Sequence, residues 1–164
     1  MFALAVLTTG LLGAVGVLSF EMQTMSSSPG DLIAAQKANE AIESVFSARD
    51  SHVLTWAQIQ NVQGASGNDG GVFIDGPQPL RLAGPDGLVN TADDLSTIES
   101  VVYPGPDQLM GTADDETIVL NGYTREIKIR NVEGSLRSIT VTIIYTAATG
   151  VRTYTLTAYI SNYS

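Results

Sequence analysis

Hydrophobic and polar positions divide the chain into segments with different periodicities. Residues 1–20 carry no charged side chain. As a helix they would span about 30 Å, the thickness of the hydrocarbon core of a bilayer. Residues 31–50 repeat apolar side chains every three to four positions, which predicts an amphipathic helix. Residues 122–160 alternate apolar and polar side chains, which predicts an antiparallel meander of strands joined by turns.

The two patterned segments predict how the chain folds. We assign one face of the helix to Leu32, Ala35, Ala38, Ile42, Val45, Phe46 and Arg49, and the polar face to Gln36, Lys37, Glu40, Glu43 and Ser47. Asp31 is placed to act as the N-cap, and Pro29 and Gly30 predict a kink or a break before it. The strands leave one sheet face for this helix to cover. The predicted fold class is therefore α+β, with a long N-terminal helix packed on a C-terminal antiparallel β-sheet.

Residues 1–20 have three candidate roles. A cleaved signal peptide would begin with basic residues and end at a small-residue cleavage site, and neither feature is present. A plain membrane anchor is the second candidate. The third is a helix packed against other helices, which Gly10, Gly13 and Gly16 favour because small residues allow helices to approach closely. We expect a hydrophobic helix over residues 1–30 and a globular head over residues 31–164.

The net charge of −9 comes from the middle of the chain. Residues 61–120, a predicted loop region, contain ten acidic side chains and one basic side chain, Arg81, whereas the rest of the chain has seven of each sign. This acidity argues against nucleic acid and anionic lipid surfaces as partners. The chain has no cysteine, and its one histidine, His52, has no patterned second ligand. We therefore expect no enzymatic activity.

The acidic region contains an internal repeat. Residues 84–94 read GPDGLVNTADD and residues 105–115 read GPDQLMGTADD, so the copies differ at three of eleven positions. Ca²⁺ takes six to eight oxygen ligands, and the candidate ligands are Asp86, Asn90, Asp93, Asp94, Asp107, Asp114 and Asp115. The pattern resembles the Asp/Gly-rich calcium loops of bacterial surface proteins and thrombospondin-type repeats, but it lacks the terminal glutamate of an EF-hand. The alternative is that both copies are turn and cap sequences on a solvated acidic surface.

The segment from Phe2 to Gly16, FALAVLTTGLLGAVG, resembles the N-terminal helix of type IV pilins, in particular the pilus-modification-type pilins and pseudopilins. The resemblance covers residues 1–50 in sequence and the remaining residues only in their layout. The leader peptide of the family, its cleavage-site glycine and the glutamate near its mature N-terminus are not in the sequence. We expect Phe2 to correspond to a position just after that glutamate.

This resemblance implies a structural subunit of an extracellular type IV pilus-like filament on a bacterial cell surface. Before assembly the subunit would be anchored in the inner membrane, and the pilus assembly machinery would then polymerise it with copies of itself. The residues implied in polymerisation are Phe2, Leu4, Val6, Leu7, Leu11, Leu12, Val15, Val17, Leu18 and Phe20. The alternatives are a minor pilin or type II secretion pseudopilin, and a monomeric, membrane-anchored surface binding module.

Overall fold

The computed structural model of the chain describes residues 29–63 and 70–162. Within them a helix, α1, occupies residues 29–50, and a single 3-10 turn occupies Trp56–Gln58. The strands are β1 (Gln78–Pro79), β2 (Ser100–Tyr103), β3 (Glu116–Val119), β4 (Tyr123–Glu133), β5 (Leu136–Ala147) and β6 (Gly150–Ser161). The predicted hydrophobic segment and its ten candidate polymerisation residues lie outside the described residues.

The C-terminal meander is confirmed. Strands β4, β5 and β6 pair antiparallel in chain order, and the short β1 adds to β4, giving a four-stranded sheet of order β1-β4-β5-β6. The alternation of the sequence sets the two faces, since Ile127, Val141 and Ile143 are buried. The opposite face is polar, with pairs of threonines facing each other across β5 and β6, such as Thr140 and Thr157. One face of the sheet is therefore free to receive a helix.

Helix α1 packs on the sheet, so the α+β architecture is confirmed, but the predicted helix face was partly wrong. A stripe of small side chains is fully buried, comprising Ala34, Ala38, Ala41 and Val45. Leu32 is 69% exposed, whereas Lys37, predicted on the polar face, is 8% exposed. Small side chains let the helix backbone approach the sheet closely, and this shifts the buried stripe by about one residue from the face that contains Leu32.

The predicted helix start at Asp31 was also wrong, because both Pro29 and Gly30 are already helical. The residues before Pro29, where the predicted kink or break would fall, lie outside the described residues. Asp31 therefore lies inside the helix and is not its N-cap. Its carboxylate instead accepts a hydrogen bond from the hydroxyl of Tyr145 on β5. The rings of Tyr145 and Tyr123 are stacked with centroids 5.0 Å apart. This aromatic pair holds the first described turn of α1 on the sheet.

Residues 61–120 contain more regular structure than the predicted loop. Strands β2 and β3 form a separate antiparallel hairpin, with Ser100 opposite Val119 and Tyr103 opposite Glu116. The two strands coincide, to within two residues at either end, with the β-prone runs at residues 98–103 and 117–120 that follow the two copies of the repeat. A small apolar cluster of Ile33, Leu80 and Leu120, with Val101 and Tyr103 packed against it, holds this hairpin on α1. No helix in the described parts of the chain is long and apolar enough to span a membrane.

Candidate functional site

The two copies of the repeat fold into loops with the same backbone conformation. We refer to residues 84–94 as the first loop and residues 105–115 as the second loop. The fourth position of each loop has a positive φ, 74° at Gly87 and 57° at Gln108. The seventh position does too, at 61° for Asn90 and 85° for Gly111. Because side chains other than glycine rarely adopt this region, its use by Gln108 and Asn90 indicates that the surrounding loop imposes the conformation.

Corresponding aspartates make corresponding hydrogen bonds in the two loops. The aspartate at the third position of each loop accepts a hydrogen bond from the backbone N–H two positions later. The N–H of Leu88 donates to Asp86 Oδ1 and the N–H of Leu109 donates to Asp107 Oδ1, and both N···O distances are 2.9 Å. The last aspartate of each loop accepts a hydrogen bond from the backbone N–H of the residue at the seventh position. These distances are 2.8 Å from Asn90 to Asp94 Oδ2 and 2.7 Å from Gly111 to Asp115 Oδ2. The repeat in sequence is therefore a repeat in structure.

A threonine hydroxyl lies among the carboxylates of each loop. Thr91 Oγ1 is 2.8 Å from Asp93 Oδ1 and 2.9 Å from Asp94 Oδ1. Thr112 Oγ1 is 2.7 Å from Asp114 Oδ1 and 3.4 Å from both Asp107 Oδ1 and Asp115 Oδ1. A hydroxyl has a single hydrogen to donate, so it satisfies one of these oxygens at a time.

The second loop favours the ionised form of Asp114. The hydrogen bond from Thr112 lowers the pKa of Asp114, and backbone hydrogen bonds, including that from the N–H of Asp107, lower it further. No basic side chain occurs between Arg81 and Arg125, so the charge of this loop is not offset within its own segment. In the described residues, however, no three His, Cys, Asp or Glu side chains are arranged to hold a metal ion. Each of the six aspartates instead has at least one carboxylate oxygen within hydrogen-bond distance of an N–H or O–H group of its own loop.

Asn90 differs from the other six candidate ligands because its side chain contacts the sheet. Its amide donates to the backbone oxygen of Arg125 at 2.7 Å, and its oxygen accepts a hydrogen bond from Arg125 Nε at 2.8 Å. Asn90 is fully buried, and Gly111 occupies its place in the second loop. Asn90 therefore docks the first loop on β4, and both polar groups of its side chain are used in doing so.

Arg125 also belongs to a buried network of charges that the sequence patterns did not predict. Its Nη1 lies 3.0 Å from Glu99 Oε1, and Lys37 Nζ lies 3.0 Å from Glu99 Oε2. Burial acts to lower the pKa of Lys37, but the hydrogen bonds and charges of Glu40 and Glu99 outweigh it and raise the pKa. Since Asn90 joins the same network, the first loop, the base of the β2–β3 hairpin, β4 and α1 all meet there.

The two loops differ in what their apolar residues contact. Leu88 of the first loop is completely buried in the main core of the head. The matching residue of the second loop, Leu109, is 62% exposed, and the adjacent Met110 is 61% exposed. The second loop thus presents two neighbouring apolar side chains within an acidic loop at the end of the β2–β3 hairpin.

Comparisons of the chain with protein-family models, with curated proteins and with solved structures gave no match.

Proposed function

We propose that this protein is a structural subunit that polymerises into an extracellular type IV pilus-like filament through its hydrophobic N-terminal segment. One observation carries the proposal. Helix α1 buries one face on an antiparallel sheet, and residues 1–20, which precede it in the sequence, carry no charged side chain. This combination gives a folded head and an apolar segment that precedes it in the sequence.

Physical chemistry explains how one segment serves both states of such a subunit. In a bilayer a helix satisfies all of its backbone hydrogen bonds internally, and its apolar side chains contact lipid. In a filament the same side chains contact copies of the same helix, and the glycines at positions 10, 13 and 16 permit close approach. We therefore propose storage in the inner membrane, followed by assembly on the bacterial cell surface.

Electron microscopy of material sheared from cells that produce the chain tests this proposal. We expect filaments from the parent chain and from Leu32→Lys, because Leu32 is exposed on the head. We expect none from Leu11→Lys, because a charge in the apolar segment opposes both lipid insertion and helix packing. Circular dichroism of the variants checks that the head is folded. A detergent-soluble monomer that forms no filaments would instead favour a membrane-anchored binding module. If the chain is present in sheared filaments only at low abundance, the result would favour a minor pilin.

We further propose that Ca²⁺ binds the aspartates of the two loops and stabilises the head. Asp86, Asp93 and Asp94 would supply oxygens in the first loop, and Asp107, Asp114 and Asp115 in the second. The duplicated geometry supports this proposal, because hydrogen bonds around a single threonine hydroxyl leave like-charged oxygens close together. A divalent cation would reduce their repulsion. Binding requires the carboxylates to turn from their present hydrogen bonds towards the ion.

Thermal unfolding with and without a chelator tests the calcium proposal. We expect Ca²⁺ to raise the melting temperature of the parent chain, and Mg²⁺ to raise it less, because Mg²⁺ demands a stricter octahedral geometry. The double substitution Asp114→Asn and Asp115→Asn should reduce the effect, whereas Glu116→Gln, one residue beyond the loop, should leave it intact. If the chelator leaves the melting temperature of the parent unchanged, the loops are turns on an acidic surface.

A further inference from the structure

Strands β3 and β6 are two edge strands with open backbone edges. In the described parts of the chain, β6 pairs only with β5, and β3 pairs only with β2. We propose that β3 of one copy pairs antiparallel with the start of β6 of a second copy, so that neighbouring heads share one continuous sheet. This contact rests on the proposed function and deepens it, because it joins heads that stand side by side in the filament.

Strand β6 lacks the features that usually protect the edge of a sheet. Natural edge strands are short, charged, bulged or covered, because an open edge presents unpaired N–H and C=O groups. β6 is twelve residues long, has no proline and has Arg152 as its one charged residue. Its pairing with β5 continues without a bulge. β6 is therefore able to accept a further strand.

The β2–β3 hairpin extends the sheet on the side opposite to β6. The N–H of Glu99 donates to the oxygen of Leu80 at 2.8 Å. The N–H of Leu82 donates to the oxygen of Thr97 at 3.0 Å. The residues before β2 thus pair antiparallel with the residues after β1, as the bridge between Arg81 and Ile98 also shows. β3 and β6 therefore lie at opposite margins of one arrangement of strands.

The direction of the strands suits two heads in the same orientation. From β6 through β5, β4, β1 and β2 to β3, each strand is antiparallel to the one before it. These five steps leave β3 antiparallel to β6. When two heads stand side by side with α1 on the same side and pointing the same way, β3 of one head and β6 of the next are antiparallel neighbours. Parallel N-terminal segments in a filament require this orientation of the heads.

The free backbone groups of β3 belong to its odd-numbered residues. The N–H of Leu120 donates to the oxygen of Glu99 at 2.9 Å. Along an antiparallel pair such bonds recur at every second residue. Thr117 and Val119 therefore point their N–H and C=O groups away from β2.

The free backbone groups of β6 belong to its odd-numbered residues as well. The N–H of Asn162 donates to the oxygen of Ser135 at 2.9 Å, one step beyond the last pair of β5 and β6. The bonds to β5 therefore recur at the even-numbered residues of β6. Val151 and Thr153 consequently turn their N–H and C=O groups outward.

These free groups match in one register. We place Thr117 opposite Thr153 and Val119 opposite Val151, because this register brings the two exposed valines together. Each of the two pairs would exchange two main-chain hydrogen bonds. The threonines would face each other as threonine pairs already do across β5 and β6.

The two margins carry opposite charge. Residues 100–119, which contain the hairpin and the second loop, have four acidic side chains and no basic one. After Glu133 the sequence has no acidic residue, and β6 carries the exposed Arg152. Two copies of β6, or two copies of the hairpin, would bring like charges together, whereas β3 beside β6 brings opposite charges together. A second copy docked head to tail is therefore the favoured partner, and such contacts repeat into an open polymer.

One ion pair would form directly across this contact. Glu116 is opposite Tyr103 in the hairpin, and Arg152 is opposite Tyr145 in the sheet. Tyr103 packs against the small apolar cluster that holds the hairpin on α1, and Tyr145 contacts the first described turn of α1. Glu116 and Arg152 therefore share the face that α1 covers, near the same end of the helix. In the proposed register they are diagonal neighbours, within reach of long side chains.

Both charged side chains are available for a partner. In the described parts of the chain, neither Glu116 nor Arg152 takes part in an ion pair. The guanidinium of Arg152 donates only to the hydroxyl oxygen of Thr149 there, from Nη2 at 3.2 Å and from Nε at 3.4 Å. Both residues are exposed. A neighbouring copy would thus supply each of them with its opposite charge.

Disulfide trapping tests the contact, because the sequence contains no cysteine. The full chain carrying Thr117→Cys and Thr153→Cys is oxidised in sheared filaments and separated under denaturing conditions. We expect a ladder of cross-linked multimers, because the two residues lie at opposite margins of one head and would face each other only between copies. Thr153→Cys alone should give little dimer. Strong dimerisation of this single variant would indicate that two copies of β6 pair with each other, and would overturn the proposal.

The matched control carries Thr117→Cys and Tyr159→Cys. Tyr159 is exposed and is also an odd-numbered residue of β6, but it lies about 20 Å further along the strand than Thr153. That distance is too long for a disulfide. We expect about tenfold less product from the control than from the facing pair. Equal yields would show that the cross-links come from random encounters, and would overturn the proposal.

A charge exchange tests the ion pair in the same experiment. Adding Arg152→Glu to the facing pair should weaken the ladder, because it places a carboxylate beside the acidic hairpin. Adding Glu116→Arg as well should restore much of the ladder. A ladder that Arg152→Glu leaves unchanged would overturn the assignment of this ion pair.

The contact and the proposed function can fail separately. Filaments that form normally without a ladder would overturn the contact and leave the proposed function intact. If the parent chain forms no filaments, the proposed function is wrong. Oxidation of the concentrated full chain in detergent then decides the contact, since a ladder supports it and monomers overturn it.

Discussion

At the scale of single residues, Gly30 of α1 lies against two tyrosines of the sheet with little space for a side chain. A Cβ at this position would lie 2.6 Å from Cε2 of Tyr145 and 3.3 Å from the hydroxyl of Tyr123. Replacing glycine by alanine in a helix normally gains up to about 1 kcal/mol. Here we expect Gly30→Ala to lower the free energy of unfolding by about 1–3 kcal/mol, because the added methyl group forces the stacked tyrosines apart.

Urea denaturation of Gly30→Ala measures this change. The matched control is Gly122→Ala, since a Cβ at Gly122 has no neighbour within 4 Å and its backbone does not have a positive φ. We expect the control to change stability little. Equal effects of the two substitutions would show that the contact with the tyrosines does not determine the result.

Tyr145 makes the stability of the head depend on alkaline pH. Burial, together with its hydrogen bond to Asp31, raises the pKa of Tyr145 from 10.0 to about 12. Because the unfolded chain ionises first, the stabilisation is fully present below pH 10 and is lost as the pH rises towards 12. The expected loss in unfolding free energy is on the order of 2 kcal/mol.

Denaturation of the parent chain and of Tyr145→Phe, both at neutral and at alkaline pH, tests the assignment. The phenylalanine variant cannot ionise at this position, so its stability should fall less between pH 10 and pH 12. Tyr123 also has a raised pKa, caused first by burial, so a smaller pH dependence should remain in the variant. Identical curves for the two proteins would exclude Tyr145 as the main titrating group.

At the scale of elements, the buried network of Lys37, Glu99 and Arg125 connects α1, the β2–β3 hairpin and β4. Arg125 is 1% exposed. Removing one partner from such a buried pair leaves the other charge unpaired, which costs about 3–5 kcal/mol. We therefore expect Arg125→Met to lower the free energy of unfolding by about 3 kcal/mol. The reason is that the carboxylate of Glu99 and the side-chain oxygen of Asn90 would each lose the hydrogen bond that Arg125 donates.

The matched control for this prediction lies on the same strand. Lys128 pairs with Glu126 at 3.3 Å on the exposed face of β4, and its side chain is 47% exposed. Because exposed ion pairs contribute about 0–1 kcal/mol, Lys128→Met should have a small effect. If urea denaturation shows the same decrease in the free energy of unfolding for both variants, the buried network contributes no more to stability than the exposed ion pair.

The sequence predicted those elements whose signal is local. Alternation over β4, β5 and β6 identified the meander, and it placed Arg125 on the same face as Ile127 and Ile129. The partner of Arg125 is Glu99, 26 residues earlier, and no periodicity links the two. The repeat marked Asn90 only as a candidate Ca²⁺ ligand. That its side chain faces the sheet could not be predicted, because it depends on where the first loop docks.

The error on the helix face has a different origin. Large apolar side chains were expected on the buried face of α1, but Leu32 is exposed and the buried stripe consists mainly of alanines. Lys37 could be buried because two carboxylates neutralise its ammonium group. Both outcomes depend on the sheet and the hairpin that cover α1, and those contacts are set by tertiary packing rather than by helical spacing.

At the scale of the whole molecule, the head combines a stable sheet with a weakly attached hairpin. Strand β5 pairs along its length with both β4 and β6. The β2–β3 hairpin has four residue pairs, and every residue of β3 is exposed. The hairpin is held on the head by a small apolar cluster and by Glu99 at its base. We therefore expect it to open on its own, without unfolding of the sheet.

Native-state hydrogen exchange measures this difference. Amides of β5 should exchange only through global unfolding, whereas those of β3 should exchange through a local opening that costs several kcal/mol less. Glu99→Gln should accelerate exchange in β3 beyond its effect on β5, because it weakens the attachment to Lys37 and Arg125. Glu116→Gln, a substitution at an exposed residue of the same hairpin, serves as the control and should not accelerate exchange in β3. If β3 and β5 exchange with the same free energy, the hairpin unfolds together with the sheet, and the second loop is held as rigidly as the sheet.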